Sequence, residues 1–169
     1  MPSKPATVTM DAVYTAPGYL FRRMQQIAVS IFLEECRDFD LTPVQYAALV
    51  AIRAHPGIDA TRLSAVIAYD RSTLGSVVER LEAKEWVGRT AAAGDKRVKL
   101  LTLTPAGAAL LRQVEDAVER AQARMLAPLT AADRSTLMAL LSRLVDLNNE
   151  ASRVPLRPDD AIAHAKKTE

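Results

Sequence analysis

Residues 70–82, DRSTLGSVVERLE, can pack in only one way. Leu74, Val77, Val78 and Leu81 fall at i, i+3, i+4 and i+7, so a helix here buries one narrow stripe and leaves the rest of its circumference in solvent. Asp70 is placed to cap it. The opposite face carries Ser72, Thr73, Ser76, Glu79 and Arg80, with Gly75 and Ala83 keeping it slim and Arg71 at its leading end. A helix of the deep core would be apolar on more sides; this one is built to present a surface.

Its neighbours fix the setting. Asp59 is positioned to cap a helix over about 60–67 with Leu63, Val66 and Ile67 inward, and Ala68, Tyr69 and Asp70 then make a short turn into the narrow helix. Two helices joined so closely, the second with a thin polar face, have the layout of a helix-turn-helix. Residues 86–103, WVGRTAAAGDKRVKLLTL, place Trp86-Val87 and Leu100 to Leu103 on either side of Gly94-Asp95, which predicts a β-hairpin with Lys96 and Arg97 at its tip.

On both sides lie longer amphipathic helices. One is expected over about 17–38, with Leu20, Met24, Ile27 and Ile31 on one stripe and Phe21, Ala28 and Phe32 beside it. A second, over 43–54, starts at Thr42-Pro43 and stops at His55-Pro56-Gly57. Thr104-Pro105 opens a helix to about 127, and Thr130-Ala-Ala-Asp133, a capping-box variant, opens the last, with Leu137, Leu140, Leu141, Leu144 and Val145 apolar. The division expected is a mobile lead over 1–13, a dimerisation and effector helix over 14–40, a DNA-binding lobe over 41–104, dimerisation helices over 105–151 and a tail over 152–169. The terminal helices do not close a core alone, so two copies of the chain are expected to interleave them in a homodimer.

Composition narrows the function. Aromatics are only 5% of the 169 residues, which favours helix over sheet, and a net charge of +2 excludes a polycation that coats nucleic acid indiscriminately. Basic surface must be local. Between Arg71 and Lys99 the cations are Arg71, Arg80, Lys84, Arg89, Lys96, Arg97 and Lys99, against Glu79, Glu82, Glu85 and Asp95. One cysteine and two histidines offer neither a disulfide framework nor a zinc-site spacing. Without a Gly-rich phosphate loop, nucleophile motif or metal cluster, no enzyme is indicated and no cofactor is expected. No membrane span or signal core is visible, so a cytoplasmic protein without a membrane partner is expected.

The stretch from Leu41 to Leu111 resembles the winged helix-turn-helix core of MarR-type transcriptional regulators, most specifically in Asp95-x-Arg97 followed by Leu103-Thr104-x-x-Gly107, preceded by Leu81-Glu82 and Arg89. The resemblance implies a mainly α fold with a small β-hairpin wing, and N- and C-terminal helices forming a homodimerisation region. It implies that the helix from Arg71 to about Lys84 enters the major groove of a double-stranded DNA operator and that Arg97 of the wing enters the minor groove. A slim hydroxyl-bearing face and an arginine at a hairpin tip suit those grooves. The candidate DNA-contacting residues are Arg71, Ser72, Thr73, Ser76, Arg80, Lys96, Arg97 and Lys99. In isolation each belongs to an ordinary solvated face; the pattern around them argues for contact. One departure stands out: Glu85 occupies the position where the family usually has a glycine ending the recognition helix, so the cap there must differ or carry strain.

Arg23 shares the apolar stripe of Leu20, Met24 and Ile27, and adjacent Arg22 points about 100° away. An arginine on such a stripe needs an anionic partner, internal or arriving. This tract resembles the subset of the family that regulates degradation of aromatic acids, nearest to the nicotinate-catabolism type, where a first-helix arginine grips the ligand carboxylate. A small aromatic carboxylate such as a hydroxylated nicotinate is the effector this implies, with Arg22, Arg23, Tyr19, Tyr46 and His55 as candidates to line its site. The alternatives are a structural arginine pair at the dimer seam, a redox-sensing repressor acting through Cys36, and an effector-independent architectural DNA-binding protein. Glu34 and Glu35 beside Cys36 disfavour its thiolate.

Overall fold

Side chains that take over the orphan N–H groups of helix starts set the element boundaries in the computed structural model, which describes residues 9–92, 94–95 and 97–158. The order is α1 (Met10–Tyr14), α2 (Pro17–Glu35), α3 (Pro43–Ala54), β1 (Ile58–Asp59), α4 (Ala60–Val66), α5 (Arg71–Ala83), β2 (Val87–Ala91), β3 (Lys99–Leu103), α6 (Pro105–Leu126) and α7 (Ala131–Leu147), with single 3₁₀ turns at Arg37–Phe39 and Asn149–Ala151. Thr42 and Gln45 form a reciprocal capping box for α3. The Asp59 carboxylate accepts the N–H groups of Thr61 (2.8 Å) and Arg62 (3.0 Å), and Asp70 accepts that of Ser72 (2.9 Å). Thr104 and Thr130 cap α6 and α7 through Gly107 and Asp133.

The anticipated helices and hairpin are present, so the chain is mainly α with a small β-sheet wing. Three differences have local causes. First, α1 takes up the last residues of the expected lead and runs one residue past it: Thr9 accepts the Ala12 N–H, and the Tyr14 ring packs 5.4 Å from that of Tyr19. Residues 1–8 lie outside the described residues. Second, α2 stops at Glu35: Cys36 still closes the last helical bond to Phe32 but leaves the helical conformation (φ −98°, ψ 14°), and the chain passes through the 3₁₀ turn Arg37–Phe39 to a left-handed Asp40 (φ 46°) whose carboxylate pairs with Lys84. Third, the hairpin gains a strand. Ile58 pairs with Leu101, Asp59 pairs with Leu100, and the antiparallel order is β1-β3-β2.

One core serves α3, α4, α5 and the sheet, with Leu49, Ile52, Leu63, Leu74, Leu81 and Leu101 fully buried. It continues along α6 through Leu111, Val114, Ala117 and Ala121 onto Phe32 of α2. Arg120 and Arg124 of α6 pair with Glu35 at 3.2 and 3.1 Å and hold its carboxyl below the ordinary range, Arg124 contributing most. The outer edge is different. No residue of α7 is buried, Val145 is 61% and Leu147 73% exposed, and Leu20, Phe21, Met24 and Ile27 of α2 are also open. Phe21 shares a hollow with Leu141, Leu144 and Val145, so the two open faces adjoin, and adjoining apolar faces of this kind mark association surfaces.

Glu85 carries the strain its position implies. It is left-handed (φ 57°), its N–H reaches the Glu82 carbonyl (2.8 Å), and the Trp86 N–H reaches that of Leu81 (3.0 Å). This is a Schellman ending built on a residue with a Cβ. Its carbonyl accepts the Thr104 hydroxyl at 2.6 Å, and the Trp86 carbonyl accepts the Thr104 N–H at 3.1 Å. Gly107 lies so close beneath that a Cβ there would sit 2.1 Å from the Trp86 oxygen. Glu85→Gly should therefore stabilise the fold by about 1 kcal/mol, whereas Gly107→Ala should destabilise it by roughly 3 kcal/mol as backbone is forced apart. Urea unfolding of both variants measures the two shifts, and equal stability of Gly107→Ala and the parent would contradict the close approach.

Candidate nucleic-acid interface

The buried stripe of α5 is Leu74, Val77, Val78 and Leu81, leaving Arg71, Ser72, Thr73, Ser76, Glu79 and Arg80 exposed as one outward face. Its hydroxyls are not equivalent. Ser72 donates to the Asp70 carboxylate, and Ser76 donates to the Thr73 carbonyl at 2.9 Å. Asp70 is thereby held below the usual carboxylate range, chiefly by the Ser72 hydroxyl and then by the Ser72 N–H. It stays ionised at the leading end of the helix.

Asp95 explains why the hairpin tip pairs an acid with an arginine two residues on. Its Oδ1 accepts the Arg97 N–H at 2.8 Å and approaches Nε at 3.4 Å, fixing the turn while the Arg97 side chain remains 93% exposed. Lys99 follows, exposed, at the start of β3. Lys96 lies outside the described residues. Between α5 and the hairpin is an open hollow of about 560 Å³ whose rim brings together Arg71, Arg97, Lys99, Arg62 and Arg89. Arg80 is exposed on α5 but does not line this hollow. Arg62 of α4 escaped the sequence reading, because only the packing of α4 against α5 carries it there; Arg89 is anchored to Glu82 at 2.9 Å and so ties β2 to the narrow helix.

The candidate effector residues are less gathered. Arg22 donates to the Gln26 side chain at 3.0 Å and its guanidinium lies 4.9 Å from the centre of the Tyr19 ring, so these two belong together. Arg23 is exposed on the open stripe of α2. Tyr46 packs against Phe32, 6.1 Å between ring centres, and Phe32 is about 15 Å along α2 from Arg22. His55 caps the far end of α3. A single chain brings Tyr19 to Arg22 but does not bring Tyr46 to them.

Among the described residues no group of three His, Cys, Asp or Glu side chains is placed to hold a metal ion, and no helix is long and apolar enough to cross a membrane. A model of the MarR family matches residues 39–98. The chain is 31% identical to the transcriptional repressor NicR of Pseudomonas putida over 149 residues, covering 88% of this chain and 94% of the relative. In structure it is similar to Bordetella bronchiseptica BpsR, whose DNA binding is regulated by 6-hydroxynicotinic acid, with TM-score 0.73, 30% identity, and 79% and 95% of the two chains covered. A mutant of MarR from Escherichia coli complexed with operator DNA superposes with TM-score 0.73 at 28% identity, covering 82% of this chain and 99% of the relative.

Cys36, the one cysteine of the sequence, is 1% exposed. Burial pushes its thiol up, and the Glu35 carboxylate pushes it further. Both effects oppose the thiolate that an oxidant would attack. The native protein at pH 8 should accordingly react with a disulfide reagent far more slowly than the urea-unfolded chain, followed by release of the coloured thiol; equal rates would restore a redox role to this residue.

Proposed function

The chain belongs to the MarR family of DNA-binding transcriptional regulators, which are not enzymes, and on that premise we propose that it is a homodimeric cytoplasmic repressor released from its operator by a small aromatic carboxylate. The observation that carries the DNA-binding half is the concave face on which Arg71, Arg97 and Lys99 meet beside the slim face of α5. In this reading Ser72, Thr73 and Ser76 approach base edges, Arg71 and Arg97 enter the two grooves, and Arg80, Lys96 and Lys99 neighbour phosphates. Ser72 and Ser76 already donate within the protein, so toward DNA they act as acceptors and Thr73 is the adaptable hydroxyl.

The open apolar surfaces of α2 and α7 support the homodimer, with residues 14–40 and 105–151 as its seam and 41–104 as the DNA-binding lobe. A two-fold dimer reads a pseudo-palindromic operator whose half-sites lie about one helical turn apart. The effector half draws on NicR and on the regulation of BpsR by 6-hydroxynicotinic acid. Arg22, braced by Gln26 and Tyr19, and the open Arg23 are the cations available to a carboxylate on α2. Tyr46 and His55 remain candidates to line the site, which the partner chain would complete. Micromolar binding needs roughly −8 kcal/mol, within reach of a ten-atom ligand at about −0.8 kcal/mol per atom. A hundredfold loss of operator affinity requires only ~2.7 kcal/mol of coupling.

Titrating the protein onto its own promoter fragment, with and without a panel of aromatic acids, tests the whole reading. Selective release by a hydroxylated nicotinate supports it; binding that no acid alters makes this an architectural protein. Arg97→Ala should weaken operator binding by roughly 1–3 kcal/mol, and unchanged affinity would remove it from the interface. Replacing whichever of Arg22 and Arg23 faces the ligand should abolish release while sparing DNA binding, and normal release from both single variants would end the carboxylate clamp.

A further inference from the structure

Residues 149–157, beyond α7, stay on the fold. Asn149 accepts the Leu156 N–H at 2.8 Å on its side-chain oxygen, and Ser152 accepts the Val154 N–H at 3.2 Å and donates to the Val154 carbonyl at 3.0 Å. Glu150 receives both terminal nitrogens of Arg157 at 2.7 and 2.8 Å, and the Arg157 N–H donates to the Ala65 carbonyl of α4 at 3.0 Å. Residues 149–157 therefore form a strap with its own internal bonding, fastened to the end of α4 immediately before the turn into α5.

The strap delivers one cation to the leading end of α5. Arg153 is 94% exposed and its guanidinium lies 4.0 Å from the Asp70 carboxylate. Both border an open hollow of about 380 Å³ with Ser72 and Thr73. An exposed pair at that distance holds its arginine weakly, so the side chain is free to turn to a stronger anion. Asp70 makes this matter. It must be present to cap α5, yet its charge faces the surface on which a polyanion would lie.

We propose that the strap is a third element of the DNA interface, in which Arg153 offsets the Asp70 charge and binds a backbone phosphate flanking the groove that α5 enters. The inference rests on the reading of α5 as the DNA-contacting helix. A phosphate contact carries no sequence information, so Arg153 strengthens binding to operator and to unrelated duplex alike.

Fluorescence anisotropy of the full chain on its promoter duplex and on an unrelated duplex of equal length, across a salt series, tests this. Arg153→Ala should weaken both complexes by roughly fivefold and flatten the plot of log affinity against log salt by about 0.9 for each arginine lost. Arg153→Lys, which keeps the charge, should retain the parent slope. Unchanged or tighter binding by Arg153→Ala, while the parent binds normally, overturns the strap contact and leaves the role of α5 standing. Failure of the parent itself to bind either duplex overturns the reading of α5 and the strap contact with it.

Discussion

The close approach of Gly107 to the Trp86 carbonyl is the constraint on which the rest of the structure depends. At this seam the end of α5, the start of β2, the end of β3 and the start of α6 meet within a few residues. Thr104 holds them, donating its hydroxyl to Glu85 and its N–H to Trp86 while its oxygen accepts from Gly107. The outward helix is thereby joined through backbone to α6, whose far end pairs with α2 through Arg120, Arg124 and Glu35. A displacement of the α2–α6 pair cannot be absorbed by a soft linker before it reaches α5. In the proposed ligand response, that coupling would let a small shift at one end move the whole face of α5.

The seam also gives a physical meaning to residues that the sequence shows only as a pattern. Leu103-Thr104-x-x-Gly107 reads as a family signature; in the structure it is a cap and a gap. Leu81-Glu82 with Arg89 is an ion pair tying α5 to the wing, and Asp95-x-Arg97 is a turn lock that leaves the arginine side chain exposed. Caps at Thr42, Asp59, Asp70, Thr104 and Thr130 are local, which is why the helix starts were legible. So was the strain at Glu85, because the family resemblance places a glycine there.

What was not legible depends on long-range contacts. The strand at Ile58–Asp59 is two residues long and exists through its pairing with β3, helped by the Gly57 N–H on the Leu101 carbonyl. Arg62 joins the concave face only because α4 packs on α5. Residues 152–169 read as a tail by composition, yet Arg157 bonds to Ala65 far back in the chain; residues 159–169 lie outside the described residues. The Tyr46 ring lies against Phe32, a contact between α2 and α3 that spacing along the chain does not show.

The rigid seam, the open apolar flanks and the concave face are what the proposed homodimer would use to set two copies of α5 on one side of a duplex. Hydroxyl-radical footprinting on the promoter fragment tests that claim most directly. Two protected patches on one face of the DNA, separated by about one helical turn, are the result expected. A single patch, or protection without any periodic spacing, would contradict it.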